Sequence, residues 1–264
     1  MNAFSKSWYK EQCEEVRIFP ERARGQNFLI DTNVAQRVAQ EVSGEVVEIG
    51  PGFGVLTNAL VENDVFVHAY DIEEKFRSTP IIEKLIEDEK IKWHTEDILK
   101  VNEQEFPKDY KLISNLPYSI SSDVIIKFLT SQNPPKTIIL MLQNEVVDRL
   151  IAQPPHMTQL SVTTQLLSTP KKLFKVSREQ FWPIPNVDSA VVRLDRKEAG
   201  EYIDEALKLA RAGFSSKRKK LANNLKALVD DPHALLTKSG IDPNARAQEL
   251  SIQDWKKLAE NFVV

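Results

Sequence analysis

Glu45-Val46-Val47-Glu48-Ile49-Gly50-Pro51-Gly52-Phe53-Gly54, running on into Val55-Leu56-Thr57-Asn58-Ala59-Leu60, reads as a strand, a glycine-rich turn and a helix. Glycines permit the tight turn and let a ligand approach the main chain closely. The pattern is G-x-G-x-G. It is not the G-x-G-x-x-G fingerprint of dinucleotide sites, and no Lys-Ser/Thr pair follows as in a P-loop, so neither a pyrophosphate nor a triphosphate cradle is expected. Taken alone, the loop also fits a purely structural turn. Its place at the C-terminal end of a strand is where an open α/β sheet binds its ligand.

Downstream, more strands end in polar residues. Val65-Phe66-Val67-His68-Ala69-Tyr70 runs into Asp71, about 20 residues after the loop, where an α/β nucleotide site places a carboxylate on ribose hydroxyls. Glu73 competes for that role, and a helix N-cap is the plain alternative. A third strand, Ile91 to His94, leads to Glu96-Asp97-Ile98. An acid there accepts an adenine amino group while Ile98 packs on the ring, although an acidic turn would look the same. The fourth strand, Lys111 to Ser114, ends in Asn115-Leu116-Pro117-Tyr118. An amide side chain, carbonyls beside a rigid proline and a flat ring suit a planar base bearing an exocyclic amine. A fifth strand spans Thr137 to Leu142, with late strands at Leu173–Val176 and Ala190–Leu194. Between the late strands, Phe181-Trp182-Pro183-Ile184-Pro185-Asn186-Val187-Asp188 forms a stiff loop bearing aromatic rings.

Upstream, residues 1–20 show no clean period and are expected to be a loosely held arm. Arg22-Ala23-Arg24-Gly25-Gln26-Asn27-Phe28-Leu29 leads to a helix capped by Asp31 or Thr32, with Val34, Val38 and Val42 on one face. After Asp195 the chain turns helical, short-looped and basic. Residues 205–226 carry Lys208, Arg211, Lys217, Arg218, Lys219, Lys220 and Lys226 against Glu205. The expected domains are therefore the arm at 1–20, a catalytic domain at 21–195 and a small all-helical domain at 196–264. The 264 residues, 42% hydrophobic and 28% charged, suit a soluble globular protein. A net charge of −3 leaves any nucleic-acid binding to local clusters. No apolar run reaches the ~20 residues of a membrane helix. One cysteine, Cys13, excludes an internal disulfide and a cysteine metal cluster. No metal is expected, and the cytoplasm is the expected compartment.

Gln26-Asn27-Phe28-Leu29, Glu48-Ile49-Gly50-Pro51-Gly52, Asn115-Leu116-Pro117-Tyr118, Phe181 through Ser189, and Phe214-Ser215-Ser216-Lys217-Arg218-Lys219-Lys220-Leu221-Ala222-Asn223-Asn224-Leu225 stand in that order. Together with Ala245 to Ser251, this set resembles the ribosomal RNA adenine N6,N6-dimethyltransferases, closest to the small-subunit type, over about residues 21–260. The resemblance implies an α/β, Rossmann-like methyltransferase sheet of seven strands with S-adenosylmethionine across the strand ends. The implied partners are the small ribosomal subunit and its RNA, for a monomeric chain free of membranes.

Carried over by position, Asn27 and Leu29 close over the cofactor and Gly50, with Gly52, sits against its methionine part. Asp71 holds the ribose, Asp97 and Ile98 take the adenine, and Asn115 lies between cofactor and substrate. In the mechanism this implies, the Asn115 oxygen and the Leu116 carbonyl accept the two hydrogens of adenine N6. The lone pair is thereby localised and aimed at the sulfonium methyl. Beside Pro117, Tyr118 stacks on the target base and Phe181 covers its other face. Lys217, Arg218, Lys219 and Lys220 are expected to bind RNA phosphates.

This sequence departs from the family in having Asp71 then Glu73 where Glu then Asp is usual, Arg24 before Gly25, and no Gly or Lys in Gln153-Pro154-Pro155-His156-Met157. Three alternatives stay open: a large-subunit dimethyltransferase of the macrolide-resistance type, a DNA adenine methyltransferase, and a non-catalytic assembly or transcription factor on the same fold.

Overall fold

The computed structural model describes residues 4–20, 26–198 and 200–263. Arg22 to Gly25, expected in the loop before the first motif, lie outside them. In chain order, helix α1 (Lys6–Val16) precedes the short strand β1 (Phe28–Leu29) and α2 (Thr32–Ala39). Strands and helices then alternate: β2 (Glu45–Ile49), α3 (Val55–Glu62), β3 (Phe66–Asp71), α4 (Pro80–Glu87), β4 (Ile91–Thr95), β5 (Lys111–Asn115), α5 (Ser121–Leu129), β6 (Thr137–Gln143) and α6 (Asn144–Leu150). Next come α7 (Gln159–Leu167), β7 (Ser168–Val176), β8 (Phe181–Trp182) and β9 (Ser189–Arg196). Helices α8 (Ile203–Gly213), α9 (Leu221–Leu225), α10 (Pro232–Lys238) and α11 (Ile252–Val263) end the chain.

The main sheet has seven strands in the order β4-β3-β2-β5-β6-β9-β7. Strands β2 to β6 pair in parallel, and β9 lies antiparallel on β6. From β2 the winding runs outward through β3 to β4, then returns to the other side of β2 with β5 and β6. The reversal falls between β2 and β5. Crevices at such a reversal open at the C-terminal strand ends and are where doubly wound sheets take ligands. Gly50 follows β2, and Asn115 is the last residue of β5, so both lie at this point.

The central strands are near-continuous apolar runs because helices cover both faces of the sheet. Val46, Val47, Leu112, Ile113, Ile138, Ile139 and Leu140 are all buried. Each such side chain contributes roughly 1.5–3 kcal/mol relative to leaving it in water. Asp31 caps α2, its Oδ1 accepting the Asn33 and Val34 N–H groups at 2.8 and 3.1 Å, a cap worth about 1 kcal/mol.

The expectation of a loose arm is corrected. Ser5 caps α1, and Trp8, Tyr9 and Cys13 are buried in the same core as the sheet. Positions 8, 9, 12, 13 and 16 do form a helical stripe. It was masked by the polar Gln12 within it and by Lys10, Glu11, Glu14 and Glu15 on the solvent side.

The chain forms two compact units, residues 1–147 with 171–195, and residues 148–170 with 196–264. Residues 148–170, expected with the catalytic domain, thus group with the C-terminal helices. Within that second unit Met157, Val162 and Leu166 share a core with Leu209, Leu236, Trp255 and Leu258. Among the described residues, no helix is long and apolar enough to cross a membrane.

Candidate active site

A cleft of about 340 Å³ opens at the C-terminal ends of β2 to β5 in the first unit. Its glycine turn has a backbone that side chains resist. Gly50 (φ +65°) donates its N–H to the Tyr70 carbonyl at 2.8 Å, and Gly52 (φ +55°) directs its N–H at Asp71 Oδ2 at 3.4 Å. A Cβ on Gly52 would stand 3.2 Å from Phe28 Cε1. Positive φ and this close approach together call for glycine.

Two buried carboxyl groups stand beside the turn. Asp71 accepts the Glu73 N–H at 2.9 Å, and burial pushes its carboxyl up to about 6 against the opposing pull of the Glu73 and Gly52 N–H groups. Glu48, in β2, is 1% exposed, and its Oε2 has no hydrogen-bond partner. Burial pushes it up to about 8, the Asp71 charge adding to the shift and the Thr57 hydroxyl opposing it. On the far wall Asp97 accepts the Leu99 N–H at 3.0 Å, and Ile98 is buried beside it.

The near wall is built on β5. Ser114 Oγ donates to the Ile49 carbonyl at 2.5 Å, which ties the ends of β5 and β2 together. Asn115 Nδ2 donates to the Asn27 carbonyl at 3.2 Å. A carbonyl only accepts, so the amide's NH₂ end must face it and Oδ1 points elsewhere. The Tyr118 hydroxyl and Ser189 Oγ are hydrogen-bonded at 2.9 Å, and burial raises the phenol above its ordinary value.

Asn27, Leu29, Gly50, Gly52, Asp71, Asp97, Ile98, Asn115, Leu116, Pro117 and Tyr118 all line this one cleft. Glu73 does not. It caps the turn that follows, accepting the Lys75 N–H at 3.4 Å. Phe181 is a correction: it is fully buried in β8 opposite Leu29 of β1, so its ring is held inside the core and offers no face to a base. The basic run is also re-placed. Lys217, Arg218, Lys219 and Lys220 are exposed in the turn between α8 and α9 rather than on a helix. Asn224 Nδ2 shapes that turn by donating to the Gly213 and Ser216 carbonyls at 2.5 and 3.1 Å.

The family model for ribosomal RNA adenine dimethylase matches residues 21–263. The chain belongs to the ribosomal RNA adenine dimethylase family. It is 36% identical to the ribosomal RNA small subunit methyltransferase A of Streptococcus equi subsp. zooepidemicus, over 89% of each chain. It is 35% identical to the protein of the same name from Bacillus cytotoxicus, over 96% of this chain and 95% of that one. Among solved structures, a dimethyladenosine transferase from Plasmodium falciparum is 26% identical with a TM-score of 0.71, covering 88% of this chain and 95% of that one. The 23S rRNA methyltransferase ErmE shares the fold, with a TM-score of 0.70 at 24% identity, over 90% of this chain and all of that one.

For an adenine dimethylase, two groups went unread in the sequence. Glu48 stands within the glycine motif, where the sequence alone assigned it no role. Its signal is a carboxylate in the middle of a buried strand, which is costly unless something pairs with it. Tyr9 stands in the floor of the cleft from α1, and the missed helical stripe was the only sign of it. Among the described residues no group of three or more His, Cys, Asp or Glu is placed to hold a metal ion.

Proposed function

We propose that the chain transfers methyl groups from S-adenosylmethionine to N6 of two adjacent adenosines near the 3′ end of small-subunit ribosomal RNA, as a step in ribosome biogenesis. The observation that carries this is Asn115, an amide locked by the Asn27 carbonyl at the sheet's reversal point, beside a cleft edged with carboxyl groups.

The cleft residues fit the cofactor. An unpartnered buried Glu48 oxygen suits an ammonium group, and the Gly50–Gly52 main chain admits a close-lying tail. Asp71 stands where ribose hydroxyls would donate, and Asp97 with Ile98 would hold the adenine. When bound, S-adenosylmethionine supplies an electrophilic methyl group on a sulfonium.

The chain's own work is positioning. The N6 lone pair of adenine is delocalised into the ring. In the first transfer Asn115 Oδ1 and the Leu116 carbonyl accept its two hydrogens, which localises that pair and aims it; in the second only one N–H remains, and one of these two acceptors holds it alone. Rate then comes from orientation and fixed dipoles, with no covalent enzyme intermediate. Tyr118, held by Ser189, offers a ring on which the unstacked base can lie, an interaction worth on the order of 1–3 kcal/mol. The base must be presented outside its stack. The exposed Lys217–Lys220 turn neutralises RNA phosphates.

The test is transfer of tritiated methyl groups to under-methylated small subunits, with the modified bases mapped. Dimethylation of two neighbouring adenosines is expected. Transfer to large subunits instead, or to neither, overturns the proposal.

A further inference from the structure

Tyr9 touches the Phe28-Leu29 segment and the glycine turn of the cleft as well as the proline loop, although it lies in a helix that precedes all three. Its ring is fully buried. It stacks on Phe28 at 6.0 Å and 17° and on Trp182 at 5.8 Å and 26°, and it meets Phe53 edge-on at 5.2 Å. Phe28 belongs to the segment that follows the chain's first motif glutamine, Phe53 to the glycine turn, and Trp182 to the stiff proline loop. The Tyr9 hydroxyl donates to the Leu29 carbonyl at 2.6 Å.

That bond has a direct continuation. Leu29 pairs with Phe181 in the β1–β8 ribbon, and the Ile30 N–H donates to the Gln180 carbonyl at 2.8 Å. Two residues before Leu29, the Asn27 carbonyl takes the Asn115 amide. The segment 27–30 is therefore fixed from below by Tyr9 and from one side by β8. On its open side it fixes the amide.

We infer that Tyr9 is a positioning residue for the methyl-transfer reaction, its hydroxyl holding the 27–30 segment so that the Asn27 carbonyl keeps Asn115 Oδ1 aimed into the cleft. This rests on the proposed function and deepens it. The helix α1 thereby becomes part of the active site's frame. A buried phenol of this kind contributes through its bond, since a carbonyl left without a donor in the core relaxes toward whatever else can reach it.

The experiment compares Tyr9→Phe, which keeps the ring stacking and removes only the hydroxyl, with Cys13→Ala, which hollows the same helix and leaves the hydroxyl in place. Tyr9→Phe is expected to lower kcat about tenfold, as misplacing a reacting group does, with the KM for small subunits within about twofold of wild type. The side-chain amide signals of Asn115, identified by NMR as the pair missing from Asn115→Ala, are expected to shift and broaden in Tyr9→Phe. In Cys13→Ala, kcat and these signals stay as in wild type. A wild-type kcat or unmoved amide signals in Tyr9→Phe overturn the inference. So does a Cys13→Ala protein that loses kcat in the same proportion for the same loss of Tm. Failure of the functional reading is separate: wild-type protein would then methylate no small subunit, while the amide signals would still report on Tyr9.

Discussion

Asn115 donates its side-chain amide to the main-chain carbonyl of Asn27, 88 positions earlier, at 3.2 Å. One weak-looking bond thus decides which end of the amide faces the cleft. The oxygen left over is the group proposed to receive a hydrogen from adenine N6.

Replacing Asn115 by Ala removes that acceptor and its anchor together. Methyl transfer should fall by about 10²–10³-fold or more, the usual effect of deleting one aimed dipole. Binding of S-adenosylmethionine, measured by calorimetry, should change only a few-fold. Near-normal turnover in the variant would remove Asn115 from the mechanism.

Glu48 and Asp71 give the ligand-free chain a pH dependence of known sign. Both carboxyls are pushed up by burial, Glu48 from 4.5 to about 8 and Asp71 from 3.8 to about 6. The folded chain binds these protons more tightly than the unfolded one. Their stabilising contribution is therefore full below the unfolded values, and it is lost as the pH rises to about 6 for Asp71 and about 8 for Glu48. Thermal melts should show Tm falling across this window, and Glu48→Gln should flatten the upper part. If an ammonium group pairs with Glu48, cofactor binding near neutrality expels a proton. The calorimetric heat should then vary with the buffer's own ionisation heat in wild type and not in Glu48→Gln.

Gly52→Ala places a methyl group at φ +55° and 3.2 Å from the Phe28 ring. The backbone strain alone costs about 1–2 kcal/mol. Reduced denaturation midpoint and weakened cofactor binding are expected together. A variant as stable as wild type would mean that the turn relaxes without cost.

Charge reversal at Lys217, Arg218, Lys219 and Lys220 should weaken RNA binding most at low salt. Each phosphate that is no longer neutralised on single-stranded RNA reduces the slope of log affinity against log salt by about 0.7. Filter binding across a salt series measures it, and an unchanged slope would detach this turn from RNA recognition. Circular dichroism should stay native, since all four side chains are exposed.

The parallel sheet was legible because its strands are short apolar runs that end in chemistry. Gly50, Asp71, Asp97 and Asn115 sit one after another where hydrophobic patterning stops, and the structure gathers them into a single cleft. Phe181 was misread because the sequence shows an aromatic beside prolines but not which way β8 turns it. Register with Leu29 in a two-residue ribbon is a tertiary property. α1 was missed for a related reason: one buried amide, Gln12, in a short helix dilutes the periodic signal to the point where surrounding charges hide it. The grouping of residues 148–170 depends on partners more than thirty positions away, which no local pattern reveals.

That last grouping shapes how the protein can be made. Synthesis proceeds from the N-terminus at about 5–20 residues per second, and domains close only once their parts have emerged. Val162 and Leu166 of α7 share their core with Trp255 and Leu258 of α11, the final helix. The sheet-bearing unit has all its residues by Asp195, while α7 can meet α8 soon afterwards but reaches α11 only once nearly the whole chain is released. A stop codon a few turns before the end would thus leave the core that α7 and α8 share without Trp255 and Leu258, and the product would be prone to aggregate although its cleft is complete.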